Sequence, residues 1–194
     1  YGEASDTKQI PLTVKAKPEE LNFKGYLFTH FTGESETGEQ IYFASSNDGL
    51  HWKDLNDGSP VITSNVGEKG VRDPYIFRSA EGDKFYIIAT DLRIASGKGW
   101  DAAQKNGSRS IIIWESTDLV SWSKPRMVEV APPEAGNAWA PEAMYDEMTG
   151  EYVVFWASRL PNDEGIWEPQ KIYYAKTRDF YTFTEPQLYI DRGD

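Results

Sequence analysis

The chain has 194 residues, the size of one ordinary domain, and 39% of them are hydrophobic, which is enough to form a core. Its net charge is −11, so we expect no nucleic-acid or membrane partner, because little positive charge is left to meet phosphate. The absence of cysteine excludes disulfides and thiolate-bound zinc, and neither His30 nor His51 has a partner at metal-ligand spacing. We therefore expect no metal and no cofactor.

The first twenty residues read differently from the rest. Gln9–Ala16 has the pattern of one isolated strand, and Lys17–Glu20 has the composition of a linker. This stretch resembles the last strand and linker of a bacterial immunoglobulin-like domain; the alternative is a strand of the domain that follows. We therefore divide the chain into two parts, residues 1–20 and residues 21–194. Because residue 1 is not Met and no signal peptide precedes the fold, we expect a piece of a longer protein.

Short apolar runs rich in aromatic and β-branched residues recur between turn signals along the chain, which predicts strands rather than helices. The runs are Tyr26–Phe28, Gln40–Phe43, Phe85–Ile88, Ser110–Trp114, Tyr152–Trp156 and Lys171–Tyr174. The clusters Ala80–Asp83 and Asp146–Gly150 predict hairpin turns, and Asp101–Lys105 alone suggests a helical turn. The expected fold class is all-β.

A weak internal repeat organises these strands. Ser46–Trp52, Ser116–Trp122 and Thr177–Phe183 share a polar pair, an Asp and an aromatic residue four positions later, with the Asp residues 70 and 61 positions apart. A unit of this length with four short strands is typical of a β-propeller blade. We expect about three blades between residues 21 and 190. Because three blades do not close a ring, the remaining blades would come from the parent chain or from another copy.

Two acidic residues stand beside proline at the start of apolar strands in successive blades. Asp73 precedes Pro74, and Glu142 follows Pro141 and lies near Trp139. Because the innermost strands of a propeller converge, we expect both acids in one central funnel. Burial among aromatic rings and a neighbouring carboxylate both raise a carboxyl pKa, as a general acid requires. The alternative reading makes Asp73 a turn cap and Glu142 a surface acid.

The second strand of each blade should end on the same rim. Those ends add Glu34, Asp91, Arg93 and Arg159 to the expected site. Arginine there can hydrogen-bond sugar hydroxyls or hold a carboxylate ionised. Trp100, in a long loop, fits substrate stacking and structural packing equally well. Three other aromatic residues recur at repeat positions and are expected to pack: Trp52, Trp122 and Phe183.

A family resemblance rests on these motifs. Arg72–Pro74, followed about seventy residues later by Trp139–Glu142, resembles glycoside hydrolase family 43, as do Gly107–Ser116 and Tyr26–Glu34. The resemblance covers residues 21–190. It implies a five-bladed β-propeller that removes arabinofuranose, xylose or related sugars from plant polysaccharides, with inversion. An oligo- or polysaccharide is then the expected partner, and a bacterial secreted or cell-surface location is expected.

The resemblance also implies residue roles. Glu142 would be the general acid, and Asp73 would tune its pKa and orient it. Rim geometry and aromatic stacking, rather than the resemblance, give the expected substrate-binding residues: Phe31, Asp91, Arg93, Trp100, Trp139 and Arg159.

The pattern departs from the family at the general base, which is usually an Asp on the innermost strand of blade one. Counting back from Gly25 reaches Thr13–Val14, where there is no Asp, and Asp6 lies in the expected preceding domain. Glu34 is the substitute that rim geometry suggests. The missing blades are another source, and an altered catalytic centre is a further alternative.

Two other functions remain open. A sialidase-like propeller is the enzymatic alternative, since Ser46–Trp52 approximates an Asp-box; however, the blade centres carry acids where sialidases need arginines. A carbohydrate-binding propeller without catalysis is the alternative from another class.

Overall fold

The computed structural model describes residues 23–192, so the expected strand Gln9–Ala16 and the domain boundary near residue 20 lie outside the described residues. The described chain folds into eleven strands, one short helix and two 3₁₀ turns, at Asn56–Gly58 and Ile94–Ser96. In chain order, the strands and the helix are β1 (Tyr26–His30), β2 (Tyr42–Ser46), β3 (Lys53–Asp54), β4 (Val71–Arg78), β5 (Phe85–Asp91), α1 (Trp100–Lys105), β6 (Ser110–Ser116), β7 (Arg126–Glu129), β8 (Trp139–Asp146), β9 (Glu151–Ser158), β10 (Lys171–Thr177) and β11 (Gln187–Ile190). No helix in residues 23–192 is long and apolar enough to cross a membrane.

The strands form three antiparallel sheets, which we call blades one (β1–β3), two (β4–β7) and three (β8–β11). Each strand pairs with its neighbours in sequence, and the innermost strands β4 and β8 of blades two and three lie against each other. The all-β prediction and the partial propeller are confirmed. Blade one has three strands among the described residues, and they match the second to fourth strands of the other blades.

The internal repeat forms the turn that follows strand β2 in blade one, β6 in blade two and β10 in blade three. The Ser116 hydroxyl accepts the Leu119 N–H at 2.9 Å, and the Asp118 carboxylate accepts the N–H groups of Val120 and Ser121 at 2.8 and 2.7 Å. The Ser121 N–H, and then that of Val120, lowers the pKa of Asp118 to about 2. Asp48 and Asp179 make the corresponding bonds. The repeat is therefore a turn motif that serves the fold.

The hydrophobic cores lie between blades, so blade two is buried on both faces. Alternate residues of β5 and β6 face blade one, namely Ile87, Ala89, Ile112 and Trp114. The residues between them face blade three, namely Tyr86, Ile88, Ile111 and Ile113. This double burial explains why Ser110–Trp114 reads as a continuous apolar run rather than an alternating one.

An aromatic cluster joins blades two and three. Phe180 is fully buried, and its ring lies 4.5 Å from Tyr86, 4.8 Å from Tyr152 and 5.5 Å from Phe77 between centroids. The Tyr152 hydroxyl also accepts the Ala80 N–H at 2.8 Å. Burying one such ring stabilises a fold by roughly 1.5–3 kcal/mol. The cluster therefore fixes the relative positions of the two blades that carry the expected acids.

A bulge interrupts each of the innermost strands β4 and β8. The register shifts between Arg72 and Tyr75 in β4, and between Trp139 and Glu142 in β8. Each bulge has a residue at positive φ just before its proline: Asp73 at 48° and Ala140 at 49°. The prolines therefore lie inside the strands and do not open them, because a residue without an N–H fits a bulge where pairing is already broken.

The two bulges also correct the expected equivalence of the acids. Asp73 precedes its proline and corresponds to Ala140, whereas Glu142 follows its proline and corresponds to Tyr75. The two acids thus approach the cleft from different bulge positions.

Candidate active site

The two bulges face each other across an open cleft of about 200 Å³. Its lining is Asp73, Pro74, Tyr75, Ala140, Pro141 and Glu142. Asp73 is half-buried and Glu142 is exposed. Both expected acids therefore open onto one cleft, at the contact between blades two and three.

Thr90, at the end of β5, connects the two bulges. Its buried hydroxyl donates to Asp73 Oδ2 at 3.0 Å and accepts the Ala140 N–H at 2.8 Å. Sequence reasoning selected the next residue, Asp91, because a carboxyl stands out at a rim. Neighbouring strand residues point to opposite faces, so Thr90 faces the cleft and Asp91 does not.

Tyr75 lies close to the Glu142 carboxyl. Burial, and then the negative charge of Glu142, raise the pKa of Tyr75 above its ordinary value. The phenol therefore keeps its proton in the physiological range and can donate a hydrogen bond at the cleft. No sequence pattern marks Tyr75 beyond its place in the β4 motif.

Arg72 organises the wall beside Asp73. Its guanidinium lies 4.6 Å from the ring centroid of Phe31 and 4.9 Å from that of Trp100. It also pairs with Glu34, at 3.5 Å from Nη1 to Oε1. Three expected site residues thus meet around an arginine to which sequence reasoning assigned no role.

Glu39 holds Arg72 in place from the buried side of the wall. Its side chain is 1% exposed, and Oε1 lies 3.0 Å from Nη1 of Arg72. The same carboxylate accepts the N–H groups of Ile94 and Ala95 at 2.9 Å each. With these donors the buried charge is well compensated. No sequence pattern marks Glu39, because its partners lie 33 or more positions away.

Trp100 continues the wall to Trp139. The two rings meet edge to face, 6.0 Å apart between centroids at 83°. The segment that follows helix α1, which begins at Trp100, contacts the loop between β7 and β8: the Gly107 N–H donates to the Gly136 carbonyl at 2.7 Å. A Cβ at Gly136 would lie 2.2 Å from the Gln104 carbonyl oxygen, so only glycine allows this approach.

The other expected substrate-binding residues are not brought to the cleft. Asp91 is 1% exposed and accepts the Glu68 N–H at 2.8 Å, and burial raises its pKa. Arg93 donates to the carbonyl of Glu36 at 3.3 Å. We therefore assign Asp91 and Arg93 to loop anchoring.

Arg159 likewise holds a loop. Its Nε donates to the Glu168 carbonyl at 2.7 Å, and its other nitrogens donate to Trp167 and Gln104 at 3.4 and 3.3 Å. Its guanidinium is committed to protein acceptors, and its role in substrate binding stays a prediction. Within residues 23–192, no cluster of His, Asp and Glu side chains is arranged to hold a metal ion.

A propeller cleft with two carboxyl groups and an aromatic wall defines a carbohydrate-active class of protein. A family model described as "Probable glycosyl hydrolase domain", related to glycoside hydrolase family 43, matches residues 22–194. The chain belongs to this family, and the resemblance inferred from its motifs is confirmed.

A curated relative shows the similarity in sequence. The chain is 40% identical over 205 residues to an α-L-arabinofuranosidase of Bifidobacterium longum subsp. longum, covering 96% of this chain and 19% of that protein. The chain thus spans about a fifth of the length of this relative.

The structural matches are distant in sequence. A family 43 arabinoxylan arabinofuranohydrolase from Bacillus subtilis, in complex with cellotetraose, matches with a TM-score of 0.58 at 14% identity, over 85% of this chain and 36% of that chain. A family 93 α-L-arabinofuranosidase of Fusarium graminearum, in complex with arabinobiose, matches with a TM-score of 0.52 at 16% identity, over 91% and 54%. These two matches support the propeller fold.

Proposed function

We propose that this chain forms the active-site blades of a glycoside hydrolase that removes terminal arabinofuranosyl, or xylosyl, groups from plant polysaccharide. One observation carries the proposal: Asp73 and Glu142 line a single cleft between β4 and β8. The 40% identity to an arabinofuranosidase favours arabinofuranosyl as the sugar. The aromatic wall of Phe31, Trp100 and Trp139 offers apolar surface for a sugar ring.

In this proposal Glu142 is the general acid that protonates the leaving oxygen. Its exposure at the cleft gives it access to a glycosidic oxygen. Asp73 modulates and orients Glu142 from the neighbouring bulge. Tyr75 lies close enough to Glu142 for its charge to affect the phenol, so it is placed to hydrogen-bond the acid or the substrate.

We keep Glu34 as the proposed general base. It is partly exposed and pairs with Arg72, the residue next to Asp73. Inversion needs an acid and a base ~6.5–9.5 Å apart, with water between them. Proton NMR of the first-formed sugar anomer tests inversion, and Glu34→Gln should lower turnover if the assignment is right.

The experiment for the acid is Glu142→Gln, assayed on arabinoxylan oligosaccharides and xylosides. Loss of a general acid should lower kcat by ~10²–10⁴-fold while sugar binding persists. Glu147→Gln, an exposed acid in the turn after β8, is the matched control and should keep full activity. Unchanged turnover in Glu142→Gln would contradict the assignment. Sugar binding by calorimetry without any turnover in the unmodified protein would favour the non-catalytic alternative.

A sialidase-like function is disfavoured by charge. Arg72 is paired with two carboxylates, and the guanidinium groups of Arg93 and Arg159 donate to backbone carbonyls. These arginines therefore offer no free cluster for a sugar carboxylate, and a neutral sugar fits better. Plant polysaccharide is too large to enter a cell intact and is met outside it. We therefore propose a secreted or cell-surface location in a bacterium, which cell fractionation tests.

We further propose that other blades, from the parent chain or from another copy, complete the ring. Blade one exposes Phe28 and Trp52 on the face away from blade two, beside a groove of about 310 Å³. Blade three exposes Met144 on the face away from blade two, since its neighbour Ala143 faces the core between the two blades. Apolar faces at both ends of the arc are the surfaces that neighbouring blades would cover.

A further inference from the structure

We infer that Thr90 is a positioning residue for the reaction proposed above: its hydroxyl group ties Asp73 to the strand that carries Glu142. This inference rests on the proposed function. The bond pair joins two blades directly at the cleft, through Asp73 Oδ2 at 3.0 Å and the Ala140 N–H at 2.8 Å.

A hydroxyl group can make both bonds at once through a single oxygen atom. Thr90 has one proton, which it donates to the Asp73 carboxylate, and its remaining lone pairs can accept the Ala140 N–H. The side chain is 0% exposed, so water does not compete for either bond. Removing the hydroxyl would leave the Ala140 N–H and a carboxylate oxygen of Asp73 without this partner.

The link matters because β4 and β8 belong to different sheets. No strand pairing joins them, so the backbone ladder does not set the separation of their bulges. Thr90 lies on β5, which pairs with β4, and it reaches across to the β8 bulge. Ala140, at φ 49°, lies two residues before Glu142, so its anchored N–H fixes the path of the chain into the proposed acid.

The corresponding position in blade one offers a matched control. Thr29 is the next-to-last residue of β1, as Thr90 is of β5, and it is also buried. Within the described residues, however, the Thr29 hydroxyl has no hydrogen-bond partner. Thr29→Val therefore removes a hydroxyl that makes no hydrogen bond within residues 23–192.

The experiment compares Thr90→Val, Thr90→Ser and Thr29→Val with the unmodified protein on one arabinofuranoside substrate. Val keeps the shape of the Thr side chain but removes the hydroxyl, whereas Ser keeps the hydroxyl. We expect kcat to fall by ~10–100-fold in Thr90→Val, with KM changed by less than about threefold, because the acids are misplaced while the aromatic wall is intact. Thr90→Ser should restore kcat to within about threefold, and Thr29→Val should leave it unchanged.

A second readout does not depend on turnover. The Ala140 amide should exchange with solvent faster in Thr90→Val than in the unmodified protein, and Thr90→Ser should restore its protection, as measured by NMR. If Thr90→Val does not fold, Thr90→Ala, which cannot overpack the site, replaces it. Normal kcat in the variant that lacks the hydroxyl, or no rescue by Ser, would overturn the inference.

The two proposals fail in different ways. Absence of turnover in the parent protein, with its ring of blades complete, would overturn the proposed function, and the Ala140 exchange would then decide the structural link by itself. Unchanged Ala140 protection in Thr90→Val would overturn the link. Turnover in the unmodified protein, with no effect at Thr90, would overturn only the positioning role.

Discussion

At the scale of single residues, Asp91 shows how a carboxyl group can serve a loop. A Cβ at Gly67, which has a φ of 56°, would lie 2.2 Å from Asp91 Oδ2, so glycine is needed where the loop crosses the acid. Burial is the main cause of the raised Asp91 pKa, and the hydrogen bonds from Ser108 and Glu68 oppose it in part. The ionised form therefore carries a cost in the folded protein.

We predict that Asp91→Asn is neutral or stabilising at pH 7. A raised folded pKa means that the contribution of Asp91 to stability is full below its unfolded pKa and is lost as pH rises through the folded value. Asn keeps an acceptor for the Glu68 N–H without the charge. Urea unfolding at pH 7 and pH 5 should show a smaller gain on acidification in the variant than in the unmodified protein.

The control is Asp163→Asn, in an exposed loop, which should leave the pH dependence unchanged. A loss of more than about 1 kcal/mol in Asp91→Asn at pH 7 would show that the charge, rather than the acceptor, holds the loop.

Sequence reasoning reached some site residues and missed others for physical reasons. Asp73 and Glu142 were found because a proline beside an acid marks both bulges. Thr90 was missed because a hydroxyl carries no sign of its partners, which are 17 and 50 positions away. Glu39 was missed because a buried ion pair has no periodic pattern.

At the scale of elements, helix α1 depends on close backbone contact. It has six residues, too few to be stable alone, and packs against the loop through Gly107 and Gly136. Its first residue, Trp100, stands between Arg72 and Trp139 in the cleft wall. The position of the wall therefore depends on glycines that do not touch it.

We predict that Gly136→Ala weakens sugar binding by about tenfold or more, because the added Cβ pushes α1 and Trp100 outward. Calorimetry with arabino-oligosaccharides measures the affinity, and tryptophan fluorescence should report the changed surroundings of Trp100. Gly58→Ala is the control: its Cβ would meet nothing within 4 Å, although φ is 71°, and sugar affinity should be unchanged. Equal affinity in Gly136→Ala would contradict this account of the wall.

The elements themselves were largely predictable. Apolar runs and turn clusters located the strands and the two hairpins of blades two and three, and the Asp101–Lys105 turn appears within α1. The bulges were not predicted, because their register depends on pairing with β5 and β9 rather than on local sequence.

At the scale of the whole molecule, the two end faces of the arc should govern association. Phe28 is 51% exposed and Trp52 44% exposed on one face, and Met144 is 57% exposed on the other. Such exposed apolar patches favour contact with another apolar surface.

We predict a solution mass above the 22.0 kDa of one chain at micromolar concentration, measured by light scattering after size exclusion. Phe28→Glu should shift the mass towards the monomer, because a charge on an apolar face opposes burial. Val120→Glu, which alters an exposed turn residue, should have no such effect. A mass equal to that of the monomer at about 100 µM protein would contradict the prediction.

The double burial of blade two has a consequence for folding errors. If β6 slipped by one residue against β5, Ile111–Ile113 would exchange one apolar face for the other, and burial would barely oppose the change. Charge opposes it instead. Glu115 pairs with Lys84 beside β5 and with Arg126 in β7, both at 3.1 Å, and a slip would bring this acid to the buried site of Trp114. The ion pairs of Glu115 thus set the register of β6, which its hydrophobic pattern does not specify.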